Sequence, residues 1–374
     1  MVAVCTGSAL SAEEIFGGVM IDSIWHPWFR AQAGAILENI AMKLMKETLM
    51  SPLCGFVLPV SVIFMLGGLG LQSVSKTSAA VTEAQDNAKT LAERLGYSAD
   101  AKLLIVHADD LGVAHSVDAA STRAFDIGSV SSGSIMVPCP WLAEIADYAK
   151  GHPEADLGLH LTLTSEWEFY RWGPVSSKDK VPTLLDHDGY LYPTEAGAAA
   201  HIDPKEAESE IQEQVDRAIA FGIRPTHLDS HMGTLFQTKP LFDALMRVAH
   251  QYKLPVLISR DFFTQASFIK DGMGSNDIAI DHMITIGPDV SAEHWADFYR
   301  DAIKNLKPGV TQFVIHLAYD DDEMRAITKN HPNWGAAWRQ RDFDFFTSQE
   351  CAKLLDENKV KLITWRQIGK LLEK

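Results

Sequence analysis

Between residues 102 and 364 the chain alternates short, almost continuously apolar runs with longer helix-like stretches. The runs are KLLIVHA (102–108), GSIMVP (133–138), DLGLHLTL (156–163), RPTHLD (224–229), KLPVLIS (253–259), MITI (283–286), TQFVIHLA (311–318) and VKLIT (360–364). They lack the polar–apolar alternation of a strand with one wet face, so they suit strands buried on both sides, as in a parallel sheet. The clearest intervening helix is DPKEAESEIQEQVDRAIAFG, with Asp203 at the N-cap and Pro204 at the first helical position. Glu206, Glu208 and Glu210 complement the positive end of its dipole. Ile211, Val215, Ala218 and Ile219 form one apolar stripe, and Gly222 ends the helix. Strands alternating with helices give an α/β fold. Eight candidate strands make an irregular, TIM-barrel-like (β/α) barrel of mostly parallel strands the leading architecture, ahead of an open doubly wound sheet.

Several of these strands end in residues that carry chemistry. His107, Asp109 and Asp110 close the first, His160 sits in LGLHLTL, His227, Asp229 and His231 in THLDSH, and His316 in FVIHLAYDDDEM. In parallel α/β folds the carboxyl ends of strands gather on one face, where active sites form. Taken singly, each has a plain structural reading. A strand histidine is a hydrogen-bonded core residue, Asp110 a cap for a helix starting near Val113, and Asp229 a turn residue. Together they point to a metal site. Two imidazoles and a carboxylate suit a divalent ion such as zinc, with manganese, cobalt and magnesium also compatible. Three protein ligands leave positions open for water and substrate, and a second ionised carboxylate nearby makes a natural general base.

The motifs HADDLG, GLHLTL and PTHLDSH resemble those of the YdjC/ChbG-like carbohydrate deacetylases. The resemblance runs from about Leu103 to the C-terminal helix and includes SSGSIMVPCPW. It implies a metal-dependent enzyme with an irregular β/α barrel that removes N-acetyl groups from amino sugars such as chitooligosaccharides, and it suggests a homodimer. Carried over by position, it implies Asp110, His160 and His231 as ligands of one divalent metal, magnesium or zinc, and Asp109 as general base. His316 falls where the family has a His-Pro pair, a candidate acid for the leaving amine, although Leu317 stands here in place of proline. Arg341 and Asp342 occupy the place of a late Arg/acid motif that orients the catalytic carboxylate or substrate; a surface ion pair is the alternative. After His231 many relatives continue with further histidines, whereas this chain reads MGTLF.

Residues 165–200 break the rhythm, with two tryptophans, three tyrosines and a phenylalanine among Pro, Gly and charged residues. A loop this long in a compact domain is usually functional or disordered. Trp167, Tyr170 and Trp172, with His227 and Asp229, are the candidates for sugar contact. The alternative is a loop that packs its own aromatics over the barrel mouth.

A formal net charge of −16 argues against nucleic acid or an anionic membrane surface as the main partner. The four cysteines, Cys5, Cys54, Cys139 and Cys351, form no CxxC pair, and Cys139 and Cys351 are expected as buried free thiols. Residues 53–71 carry no charge and follow Lys43 and Lys46, which reads as a signal peptide or signal anchor within an N-terminal extension over 1–75. Met42 or Met45 is an alternative start. Export to the periplasm or beyond is the expectation, with membrane contact only through an uncleaved segment. A linker and short helix stopped by Gly96 fill 76–100, and the catalytic domain spans 101–374. Two other classes stay open: a metal-dependent glycosidase or phosphoesterase, and a non-catalytic sugar-binding relative.

Overall fold

The structure, a computed structural model, describes residues 89–372. The N-terminal extension expected over 1–75, with its apolar core at 53–71, lies outside the described residues. Among the described residues, no helix is long and apolar enough to cross a membrane.

Among the described residues, seven strands form one sheet: β1 (Lys102–Leu111), β2 (Ser132–Ile135), β3 (Leu157–Leu161), β4 (Leu228–Ser230), β5 (His282–Thr285), β6 (Gly309–His316) and β7 (Lys361–Leu362). Their order is β4-β3-β2-β1-β6-β5, and every pairing is parallel. β7 pairs the lower half of β1 at Leu103 and Leu104, while β2 pairs its upper half from His107. The helices that bear on the site are α1 (Leu91–Arg94), α2 (His115–Ile127), α3 (Pro204–Ala220), α4 (Lys239–Tyr252), α5 (Trp295–Lys304), α6 (Ala336–Phe346) and α7 (Trp365–Gly369).

The run 253–259, expected as an eighth strand, does not become one. It is joined to its neighbours only by single bridges, Leu228 to Val256 and Ser259 to Ile280. Pro255 has no N–H to give a longer ladder, yet its carbonyl accepts from Leu228 N at 2.9 Å, and Leu257 N donates to Leu228 O at 2.8 Å. On the far side Ile280 N donates to Ile258 O at 2.9 Å. The sheet is thereby linked from β4 round to β5, and the result is an irregular barrel with one poorly laddered stave.

β1 is buried along its length, but its two faces differ by the period of two that a strand imposes. Leu104, Val106 and Ala108 join the large outer core with the helices. Leu103 and Ile105 join a smaller cluster with Val310, Ile280, Leu257, Trp365, Ile368 and Leu91 of α1. This second cluster plugs the lower barrel, and His107 and Asp109 continue the same face of β1 upward. α1 itself is set by a reciprocal capping box between Thr90 and Glu93, and Gly96 follows it at φ +90°.

α3 starts as its sequence requires, with the Asp203 side chain accepting from Lys205 N and Pro204 at the first position. Ile211, Val215 and Ala218 are buried, but Ile219 is 49 % exposed, one step of the helix round from Ala218. Glu210 and Gln214 take the inner face instead. The Glu210 carboxylate accepts from Val175 N and Ser176 N at 2.8 and 2.9 Å, and Gln214 bonds both backbone groups of Thr162. These polar residues on α3 thus satisfy backbone groups of the aromatic loop and of the segment leaving β3, which would be costly to leave unpaired. Cys139 and Cys351 are free and buried.

The glycine of the GLHLTL motif has a specific packing reason. A Cβ on Gly158 would sit 2.4–2.5 Å from three atoms of the His227 ring. Replacing Gly158 with Ala is expected to cost about 1–3 kcal/mol by overpacking. Urea unfolding tests this: the midpoint should fall with no change in slope, and an unchanged midpoint would mean that the ring has room to shift.

Candidate active site

β1 does not end as a regular strand. Its register with β2 shifts between Ala108 and Leu111, and Asp110 adopts φ +69°, followed by Gly112 at φ +87°. In a regular strand Asp109 and Asp110 would face opposite sides. The bulge and the left-handed residue turn both carboxylates to one point. The His160 Nε2 lies 3.4 Å from Asp110 Oδ1 and 3.7 Å from Asp109 Oδ2. A left-handed aspartate costs about 1–2 kcal/mol, the kind of local strain that clusters at functional sites. Asp110 caps nothing, because the N-cap of α2 is Ala114, without a side-chain cap.

His160 comes from β3, directly across from Asp229 on β4, and His231 from the 3-10 turn that follows β4, where Met232 and Gly233 have positive φ. His316 ends β6, paired in register with Asp109. Asp110 Oδ1 stands 3.4 Å from His160 Nε2 and 3.4 Å from His231 Nδ1. The far nitrogen of each ring is held by a carboxylate: His160 Nδ1 by Asp229 at 2.5 Å, His231 Nε2 by Glu166 at 3.0 Å. The other oxygen of Asp110 accepts from Arg339 Nη2 at 2.6 Å.

These residues fit a metal. Asp110 Oδ1 is buried and has no hydrogen-bond partner. The ligand atoms of Asp110, His160 and His231 lie within 4.8 Å of one another. Bonds of about 2.05 Å in a tetrahedron put ligand atoms about 3.3 Å apart, close to the two separations of 3.4 Å. A carboxylate behind each imidazole is the usual way to fix the ring and the tautomer of a metal-ligating histidine.

Electrostatics point the same way. Burial opposes charge on His231, yet Glu166 and Asp110 outweigh it and raise the imidazole to about 10. Burial likewise opposes charge on His107, and Asp109 and Asp229 raise it to about 9. Against its own burial, Asp110 is held well below the usual carboxylate range by Arg339 and His231. The pocket attracts positive charge. His316 is the exception: burial and Arg339 push it down to about 4.

Asp109 is prepared differently. His107 Nε2 lies 3.1 Å from its Oδ1, and Ser134 Oγ 3.5 Å. His107 Nε2 also reaches Asp229 Oδ2 at 3.1 Å, while its Nδ1 lies 2.9 Å from Ser132 Oγ. Asp109 Oδ2 instead faces His160 and His316, 3.9 Å from the Nε2 of the latter.

Asp109, Asp110, His160, His231 and His316 therefore converge. The expected sugar contacts do not. Trp167 and Trp172 are 2 % and 3 % exposed, leaving no ring face for a sugar. Tyr170 spends its hydroxyl on the Val113 carbonyl at 2.7 Å. Both tryptophans of the loop pack against the site, Trp167 under the Arg339 guanidinium and Trp172 beside His231, while Phe169 and Tyr190 of the same loop are exposed. His227 is fully buried below the site, stacked on Trp365 and edge-on to His107. Asp229 is buried, with one carboxylate oxygen on His160 and the other on His107. Arg341 lies over the Trp295 ring, away from Asp110, and the arginine that reaches the site is Arg339. Asp342 is buried, where it accepts from Trp295, Tyr299 and the His316 backbone N–H, so no surface ion pair forms.

Glu166, Arg339 and the role of His107 were not legible from motif position. Arg339 had one signal: it stands three residues before Asp342 on α6, so both lie on one helical face.

The family described as YdjC-like protein matches residues 103–357. A carbohydrate deacetylase of Thermoanaerobacter pseudethanolicus is 28% identical over 273 residues, covering 71% of this chain and 98% of that protein. A chitooligosaccharide deacetylase of Yersinia enterocolitica is 32% identical over 165 residues, covering 42% of this chain and 60% of the relative. A solved structure from Enterococcus faecalis V583, named for cellobiose-phosphate cleavage, matches in fold with a TM-score of 0.60 at 23% identity, covering 72% of this chain and 99% of that one.

Replacing Arg339 with Met is expected to destabilise the fold by about 3 kcal/mol or more, since it strands a buried carboxylate. The same change at Arg341 removes only a ring contact, worth about 1 kcal/mol or less. Chemical denaturation of the two variants side by side decides the matter, and equal losses would reject the assignment of Arg339.

Proposed function

The chain belongs to the YdjC-like family, and on that premise we propose that it is a metal-dependent hydrolase removing N-acetyl groups from acetylated amino sugars or short oligosaccharides. The observation that carries this reading is the buried, partnerless Asp110 Oδ1 between two imidazoles locked from behind, with a second carboxylate alongside. The deacetylase names of the relatives support the acetylated-sugar class. Asp110, His160 and His231 would hold the ion. Two imidazole ligands favour zinc over magnesium. The charge-free run 53–71 supports export, so that the substrate is met outside the cytoplasm.

A bound divalent ion supplies Lewis acidity toward the amide oxygen and makes water easier to deprotonate. Asp109 is the group placed to take the proton. His107 and Ser134 pin one carboxylate oxygen, which fixes the direction of the other toward His160 and His316. In the overall reaction one water O–H bond and the amide C–N bond break, and acetate and the free amine form. His316, neutral near pH 7 from its depressed value, does not enter the cycle already charged. The proton reaching the amine is therefore the one Asp109 collected, with His316 holding the departing nitrogen by a hydrogen bond.

Incubating the metal-loaded full chain with a panel from chitobiose to longer acetylated oligosaccharides, and measuring acetate, tests the reading. Acetate release that stops with a chelator and returns with zinc is the expected outcome; cleavage of a glycosidic or phosphate bond without acetate would overturn it. Replacing Asp109 with Asn should lower kcat by about 10²–10⁴-fold while metal content stays at the wild-type stoichiometry. Turnover near normal would take the base role away from Asp109.

A further inference from the structure

We propose that Glu166, from the aromatic loop, is a positioning residue of the metal centre, setting the ring orientation and tautomer of His231. The inference rests on the metal site of the proposed function. It concerns a residue that matches none of the motifs that carry the resemblance, since Glu166 lies just past GLHLTL at the start of the aromatic insertion.

His231 faces Asp110 Oδ1 with Nδ1, at 3.4 Å. A histidine that ligates through Nδ1 must carry its proton on Nε2, and that proton needs an acceptor. Glu166 Oε2 stands 3.0 Å from Nε2, and the Glu166 side chain is 15 % exposed. The arrangement mirrors His160, which faces the centre with Nε2 and gives Nδ1 to Asp229. The two rings thus use opposite nitrogens, and each has its own carboxylate.

Glu166 is held on both sides. Ser165 N donates to Tyr192 O at 2.8 Å, and Ser165 Oγ accepts from Trp172 N and Arg171 Nε. Trp167 on the other side lies 5.7 Å from the Arg339 guanidinium, which in turn holds Asp110. Two consecutive residues of the loop therefore connect to the two halves of the site: Glu166 to one metal-ligating histidine, Trp167 to the arginine on the metal-ligating aspartate. The loop is part of the ligand scaffold.

The test is a zinc titration of the full chain against a chromophoric chelator, without substrate, for wild type, Glu166→Gln and Glu166→Ala. Loss of the acceptor in Glu166→Ala should weaken zinc binding about 10–100-fold, with a smaller loss in Glu166→Gln, which keeps an oxygen but no charge. Nitrogen-15 spectra of the zinc-loaded chain should show His231 in the Nε2–H form in the wild type and a mixture of tautomers in Glu166→Ala. A purely structural role would leave zinc affinity and tautomer unchanged. Affinities of both variants within twofold of wild type would overturn the proposal, and so would a wild-type chain that binds no zinc. Weaker zinc binding in the variants, beside a wild type that binds zinc but releases no acetate, would support the role of Glu166 and sink only the deacetylase reading.

Discussion

Asp109, Asp110, Asp229 and Glu166 are brought together around two imidazoles in a nearly dry interior, and much of the architecture around them answers their mutual repulsion. Like charges at such distances in a low dielectric push pKa values apart or draw in cations. Both responses are visible. Arg339 reaches in from α6 to Asp110, His107 is charged between Asp109 and Asp229, and His231 is raised by its two carboxylate neighbours. The charge left over is what a divalent ion would neutralise. A buried polar cluster of this kind is a weak source of stability and a strong source of local specification, since each member restricts the geometry of the next.

The scaffold makes that cluster possible by separating apolar from polar along one face of one strand. Leu103 and Ile105 lie in the plug of the lower barrel, and two residues on the same face presents His107 and then Asp109. Trp365 links the layers, stacking on His227 and donating its indole N–H to Gln312 at 2.8 Å. His227, whose pKa is pushed well down by burial and by the charge on His107, is the neutral layer between plug and site. Gly158 is bare because that ring lies against it. The motif glycine and the motif histidine of THLDSH are thus one packing feature.

What could be read from the sequence follows from what repeats locally. Continuous apolarity marked the buried strands, and polar strand ends marked the face where Asp109, Asp110, His160, His231 and His316 meet. Positions fixed by contact between distant segments were not legible. Glu166 sits in a stretch whose composition suggests a sugar-binding rim, and its partner is 65 residues away. The aromatic residues misled for the same reason: composition does not tell an indole facing solvent from one facing Arg339. The motif position points to Arg341 and not to Arg339, because a motif position carries no helical phase, and on α6 a shift of two residues rotates a side chain by about 200°. The run 253–259 has strand composition, but Pro255 leaves it one N–H short of a ladder.

Two adjacent aspartates with the same intrinsic chemistry end in different surroundings, and their neighbours account for the difference. Arg339 occupies Oδ2 of Asp110, so its remaining oxygen, buried and unpartnered, faces the two imidazoles. For Asp109 the pinned oxygen is Oδ1, held by His107 and Ser134, and the oxygen left over faces His316. Neither assignment is a property of the residue alone. Without the bulge between Ala108 and Leu111, the period of two would send one carboxylate to the inner face and the other into the outer core against the helices. The left-handed strain at Asp110 is therefore what lets two carboxylates adjacent in sequence share one centre, as the proposed ligand and base require.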